Sequence, residues 1–209
     1  LKFYPFLAVV LNIEADHLDY FRDLDHVNES FLKFLSHVPS NGYVVACADD
    51  QNVMDVVEKI HCHKITYGIE SSDARWTARD ISYNDFGYAS FKLLVDNKHF
   101  ADIQLSVPGI HNVNNALSAA AACSTMDCSV ESIKQGLLQF TGTHRRFELM
   151  GTTGGVKVID DYAHHPSEVI ATLKAAKNID HNRIWSVFQP HTYTRTKCLL
   201  NDFAHAFSD

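Results

Sequence analysis

With 209 residues, 46% of them apolar, the chain can bury a real core in one large or two modest domains. A net charge of −7, with acids and bases interspersed, argues against a nucleic-acid binder relying on a general basic surface, and apolar runs such as "FLAVVLNI" are too short to cross a bilayer. Five cysteines without a pairing rhythm, and a start that lacks a signal-peptide pattern, read as reduced thiols in a cytoplasmic protein without membrane insertion.

"FLAVVLNI" (6–13) is the near-continuous apolar run of a strand buried on both faces. Val27, Phe31, Phe34, Leu35 and Val38 then recur at helical spacing up to Pro39. "YVVACA" (43–48) predicts a second buried strand, residues 53–60 a helix, and "KITYG" a short strand. Such alternation predicts a parallel sheet with right-handed crossovers. From Arg75 to Val107 the pattern changes to a small antiparallel meander, with "NDFG" and "DNKH" as turns. "PGIHNVNNALSAAAAC" returns to helix, and a further helix runs from Ser129, a good N-cap, to about Phe140. "TGTHRR" reads as a hinge. Beyond it, "FELMG" and "VKVIDD" pair as a hairpin across "TTGG", a helix begins at Pro166, "RIWSVF" (183–188) predicts another buried strand, and "LLNDFAHAFSD" is an amphipathic helix. Both ends look like cuts through something larger.

Three polar loops each follow a predicted buried strand, where open α/β sheets place their ligand sites: "NIEADHLDYF", "VIDDYAHHP" and "QPHTYTR". In the first, Glu14, Asp16, His17 and Asp19 are hard ligands suited to magnesium or manganese, or else a solvated loop in which Asp19 or Asp23 caps the next helix. Asn112 and Asn115, three apart at a helix start, carry the donor and acceptor that suit a heterocyclic base edge, or simply cap the helix. Arg145 and Arg146 could clamp phosphate oxygens, or make a salt bridge to residues such as Glu148. In "VIDDYAHHP", Asp160 or Asp161 could accept from ribose hydroxyls, and Tyr162 and His164 could meet a second, anionic substrate. His165 and Asp160 could equally be structural. Neither this stretch nor "HCH" (61–63) has a second Cys/His pair at zinc spacing.

In this order, "NIEADHLDYF", "PGIHNVNNALSAAAAC", "GTHRRFELMG", "DDYAHHPSE" and "FQPHTYTRT" resemble the Mur ligases of peptidoglycan synthesis, over nearly the whole chain. The resemblance implies an α/β fold: part of a P-loop-type central ATP-binding domain over 1–142, with the meander, then part of a Rossmann-like C-terminal domain over 143–209. It implies an ATP-dependent amide ligase that phosphorylates a substrate carboxylate and passes the acyl group to an amine. Its cofactors would be ATP and Mg2+, its substrates UDP-N-acetylmuramate and L-alanine. By position, His17 would be the magnesium-site histidine, and His111, Asn112 and Asn115 would lie at the nucleotide. Arg146 would serve the phosphates, Asp161 would hold the ribose, and Tyr162, His164, His191 and Arg195 would face the muramyl substrate. The chain departs from the family pattern in four ways. Gly-Lys occurs nowhere, so the G-x-x-x-x-G-K-[ST] phosphate loop is missing. The upstream acidic magnesium ligand and the UDP-binding domain are also absent, and Thr192 stands where many members carry arginine. The expectation is a piece inactive by itself. The rivals are a ligase that recycles a preformed tripeptide onto the same sugar nucleotide, a non-catalytic nucleotide-binding module and a metallohydrolase built on the histidines.

Overall fold

A computed structural model describes residues 2–18 and 20–208. Its frame is a curled six-stranded sheet in sequence order. Strands β1 (Leu7–Val10), β2 (Tyr43–Cys47) and β3 (His63–Gly68) run parallel, joined by helices α1 (Leu24–Leu35) and α2 (Gln51–Val57). Alternation along β2 divides the core. Val44 and Ala46 face the helix pair with Val27, Leu35, Val53 and Val57, whereas Val45 and Cys47 face the other side. Asp23 settles the start of α1: its Oδ1 accepts the His26 N–H at 2.8 Å. The alternative cap, Asp19, lies outside the described residues.

The meander does not stand apart. Strands β4 (Trp76–Tyr83), β5 (Tyr88–Val95) and β6 (Lys98–Pro108) continue the same sheet, β4 joining the C-terminal end of β3 in parallel through Tyr67–Trp76 and Gly68–Thr77. Because β4 begins where β3 ends, a short turn suffices and no crossover helix is needed. Helix α3 (Ile110–Thr125) covers the second face through Ala116, Leu117, Ala120 and Ala121, the leucine filling the core and the alanines leaving room for the sheet. Helix α4 (Val130–Gln139), capped by Ser129, packs beside it over β6.

The second unit opens with hairpin β7 (Glu148–Thr153) and β8 (Val156–Asp160). Its turn, Gly154–Gly155, has positive φ at both residues, which a two-residue hairpin of this twist requires. Helices α5 (Pro166–Lys177), α6 (Tyr193–Cys198) and α7 (Leu200–Ala206) follow. Ala175 of α5 reaches the Pro108–Gly109 corner where α3 begins, so the units touch there.

Three strand expectations need correction. The first strand covers only Leu7–Val10, and Val9 is exposed because α3 does not reach fully over this edge. β8 is solvent-facing over Val156–Val158, since it has β7 beside it and no covering helix over those residues. Residues 183–188 form no strand among the described residues: they have no ladder partner, Trp185 is 79% and Val187 99% exposed, and Phe188 instead packs on Phe203 and Phe207 of the α7 region. An apolar run becomes a strand only where a neighbour completes its backbone hydrogen bonds.

Candidate functional site at the meeting of three loops

The loop after β1 lies between the two loops of the second unit, and its acids hold both. Ser167 Oγ donates to Glu14 Oε2 at 2.7 Å, and His165 Nδ1 lies 3.1 Å from the same oxygen. Two residues on, Asp16 Oδ1 accepts Arg195 Nη2 and Nε at 2.7 and 3.0 Å. The Arg195 side chain is only 10% exposed, and its Nη1 also donates to the His191 carbonyl. These contacts span more than 150 residues of sequence. Arg195 is thereby held against an internal carboxylate.

The charges follow the contacts. The hydrogen bond from His165 draws the Glu14 carboxyl down to about 2, against the opposing effect of burial, with Ser167 and Asn12 assisting. Glu14 in turn raises His165 above the ordinary imidazole value. Burial alone would raise Asp16, but Arg195 and the His17 N–H pull it below its usual range. His165 is the N-cap of α5, and its Nδ1 also stands 3.4 Å from the Ser167 N–H. One nitrogen cannot donate to Glu14 and accept that N–H at once; its shortest contact is to Ser167 Oγ at 2.8 Å, and because that hydroxyl gives its own hydrogen to Glu14, a proton on Nδ1 serves both the hydroxyl oxygen and the Glu14 carboxylate. His165 Nε2 is buried with no partner among the described residues.

Glu168, at the third position of α5, gathers the loop that precedes it. It accepts the His164 and His165 N–H groups at 2.9 and 3.2 Å and the Arg146 guanidinium at 3.1 Å. The salt bridge expected from the adjacent arginines therefore goes elsewhere: Arg146 pairs with Glu168 and Arg145 with Asp160, while Glu148 takes the Arg145 N–H and His144. Asp161 accepts the Phe147 and Ala163 N–H groups, fastening the 161–165 loop to the 145–147 turn. Tyr162 lies under the Arg145 guanidinium, 4.7 Å from its centre, and edge-on to His164.

The start of α3 faces this cluster. His111 is half-buried and held below the ordinary imidazole value mainly by desolvation, with the Asp161 and Arg146 charges acting on it in opposite senses; its Nδ1 has no partner among the described residues. Asn112 is largely committed: Nδ2 donates to the Pro108 carbonyl at 2.7 Å and Oδ1 accepts from Asn115. Asn115 keeps its oxygen and one N–H. Both asparagines edge a cavity of about 390 Å³ between α3, α4 and β6, walled by apolar residues such as Leu105, Val107, Ala116 and Ile133. A flat apolar ring with a polar edge fits such a slot.

His17 stands apart. It has φ 53, its side chain is largely exposed, and its Nε2 lies 3.7 Å from Asp16. Among the described residues no three His, Cys, Asp or Glu side chains are grouped to hold a metal. Asp16 is committed to Arg195 and Asp19 lies outside the description, so His17 offers one imidazole rather than a completed site.

The structure thus gathers His111, Arg146 and Asp161, places Tyr162 beside His164 and His191 beside Arg195, and leaves His17 at the margin. Sequence reasoning missed Glu168 as a hub and His165 as an ionic partner. The first has a local signal, an acid three residues after a helix cap. The second has none, since its partner lies 151 residues away.

Comparison with known proteins places these features in a family. The Mur ligase middle domain matches residues 1–123 and the Mur ligase glutamate ligase domain residues 145–209. UDP-N-acetylmuramate–L-alanine ligase of Acetivibrio thermocellus is 61% identical over all 209 residues, and that of Caldanaerobacter subterraneus is 51% identical over 208; the chain spans 45% of each relative's length. The crystal structure of the UDP-N-acetylmuramate–alanine ligase of Thermotoga maritima superposes with a TM-score of 0.80 at 27% identity, over 99% of this chain and 44% of that one. A murein peptide ligase of Psychrobacter arcticus gives 0.64 at 29% identity, over 91% and 38%.

Proposed function

The chain belongs to the Mur ligase family, and from that premise we propose that it serves the ATP-dependent joining of L-alanine to UDP-N-acetylmuramate in peptidoglycan synthesis. The observation that carries this reading is the 61% identity with such a ligase over every residue of the chain. The activity is proposed for a protein containing this chain, which covers less than half the length of those relatives.

Within it, residues 1–142 form the nucleotide-facing unit and 143–209 the unit that closes on it. A nucleotide base enters the apolar slot edged by Asn115, with Asn112 holding the helix start and His111 turned toward Arg146 and Asp161. Asp161 accepts from the ribose with the lone pairs that its two backbone N–H partners leave free. Arg146 keeps several N–H donors beyond its bond to Glu168 and presents them to phosphate oxygens. ATP supplies the activated phosphoryl group, and these residues orient it. Tyr162, His164, His191 and Arg195 receive the sugar nucleotide. For magnesium, His17 contributes a single imidazole, and the remaining ligands come from the nucleotide or from residues outside this set.

Phosphate release from ATP by the ligase containing this chain, given UDP-N-acetylmuramate and a panel of amino acids and peptides, tests the reading. Release that depends on L-alanine is the expected result. Release that depends on a tripeptide would reassign the chain to the recycling ligases, and no release with any acceptor would leave a nucleotide-binding module.

A further inference from the structure

Helix α3 ends in a Schellman turn. Asp127 takes the left-handed conformation at φ 61, its N–H donates to the Ser124 carbonyl at 3.2 Å, and the Cys128 N–H reaches back to the Cys123 carbonyl at 3.0 Å. This bond pair brings together the side chains at its two ends, a place that apolar residues usually fill. Here both ends are cysteines, both are exposed, and the Cys128 N–H bond to the Cys123 carbonyl holds the two residues side by side. Neither belongs to the ligand cluster described above, although Cys123 also lines the far end of the apolar cavity.

We propose that Cys123 and Cys128 form a redox-modifiable dithiol, closing to an intrachain disulfide across the α3–α4 turn when they meet a small-molecule disulfide such as oxidised glutathione. One thiolate attacks the oxidant's S–S bond, giving a protein–glutathione mixed disulfide and releasing one glutathione as its thiol. The second cysteine then attacks the protein sulfur of that mixed disulfide and displaces the other glutathione. One S–S bond is broken and one formed, and the two cysteine hydrogens leave with the two glutathione thiols. Closure asks little of the backbone, because the turn's hydrogen bonds already hold the two residues together. Burial, with the neighbouring thiol, pushes the Cys123 thiol above its ordinary value, so the reaction quickens as pH rises. The product withdraws a thiol from the cavity wall and staples α3 to the segment that leads into Ser129, the cap of α4.

The test uses the reduced 209-residue chain. It is titrated with oxidised glutathione until Cys198, the exposed cysteine of α6, carries glutathione; remaining thiols are then alkylated and the chain is digested with trypsin. Both cysteines fall in one tryptic peptide, His99–Lys134. The expected product is that peptide lighter by two hydrogen atoms, unlabelled by alkylation and restored by reduction. In the Cys128→Ser variant the same peptide should carry one glutathione instead. Alkylated Cys123 and Cys128, separate glutathione adducts on both, or a disulfide mainly between chains would each overturn the proposal.

Discussion

Glu14 and His165 carry opposite shifts that come from one contact, and their pH dependence follows from the signs. A carboxyl lowered to about 2 in the folded state contributes stability that is full above its ordinary value and lost as pH falls through 2. An imidazole raised by its partner contributes stability that is full below its ordinary value and lost as pH rises through the folded one. Both contributions are complete together only between the ordinary carboxylate and imidazole values, roughly pH 4.5 to 6.5. Because the pair is partly solvated, Glu14→Gln should cost about 1–2 kcal/mol at pH 6, below the ordinary imidazole value, and less at pH 9, well above it. Urea unfolding at the two values measures this, and equal losses would show that the ion pair is not what stabilises the contact. Glu168 works differently, since two of its three partners are backbone N–H groups. Glu168→Ala should destabilise by about 1–2 kcal/mol through the lost cap and quicken hydrogen exchange in residues 161–165. Glu168→Gln, which can still accept from the backbone, should cost less; a Gln variant as damaging as Ala would place the effect in the Arg146 charge.

Among the elements, α3 shows how closely the units are fitted. Gly109 precedes it at φ +94, and a Cβ there would lie 2.6 Å from the His111 ring and 3.1 Å from Ala175 of α5. Gly109→Ala should therefore cost about 1–3 kcal/mol by thermal or urea unfolding, and a neutral result would mean that the corner rearranges freely. The helices other than α6 were legible in the sequence because each carries its own evidence, whereas α6 begins inside the polar stretch "QPHTYTR" with no side-chain cap to announce it. Ser129 announces α4, Pro166 starts α5, and the apolar spacing of Val27, Phe31, Phe34 and Leu35 marks α1. Strands are legible only as far as their partners are. "YVVAC" reads correctly because β1 and β3 flank it, while "RIWSVF" is also largely apolar but lacks a ladder among the described residues. Trp185→Ser should accordingly move stability by no more than about 0.5 kcal/mol, within the range of exposed positions. The site divides in the same way. Its residue types and loops could be read along the chain, but the pairing of Glu14 with His165 and of Asp16 with Arg195 could not, because nothing local encodes a contact across such separations.

For the molecule as a whole, the acidic loop after β1 joins the two units ionically, and the joint occupies Arg195, a residue that the proposed function assigns to the sugar nucleotide. Arg195 is nearly buried, and two of its donors rest on one Asp16 oxygen. A guanidinium taken out of water this far is costly to leave unpaired, so removing Asp16 should hurt more than the pair's net worth suggests. Asp16→Ala and Arg195→Ala should each destabilise the chain, and their double variant by less than the sum, with a coupling of about 1–3 kcal/mol in a double-mutant cycle. The same geometry sets a competition under the proposed function. An anionic sugar nucleotide reaches Arg195 by displacing Asp16, so part of its binding energy goes into opening an internal ion pair. Asp16→Asn keeps the side chain's size and one acceptor oxygen but removes the opposing charge. In the ligase containing this chain it should lower KM for UDP-N-acetylmuramate several-fold while leaving KM for ATP near its original value, and Arg195→Ala should raise the former whether or not Asp16 is present. If Asp16→Asn raised KM for the sugar nucleotide instead, Asp16 would be holding Arg195 in its working position, and the contact would be the closed state that the substrate itself requires.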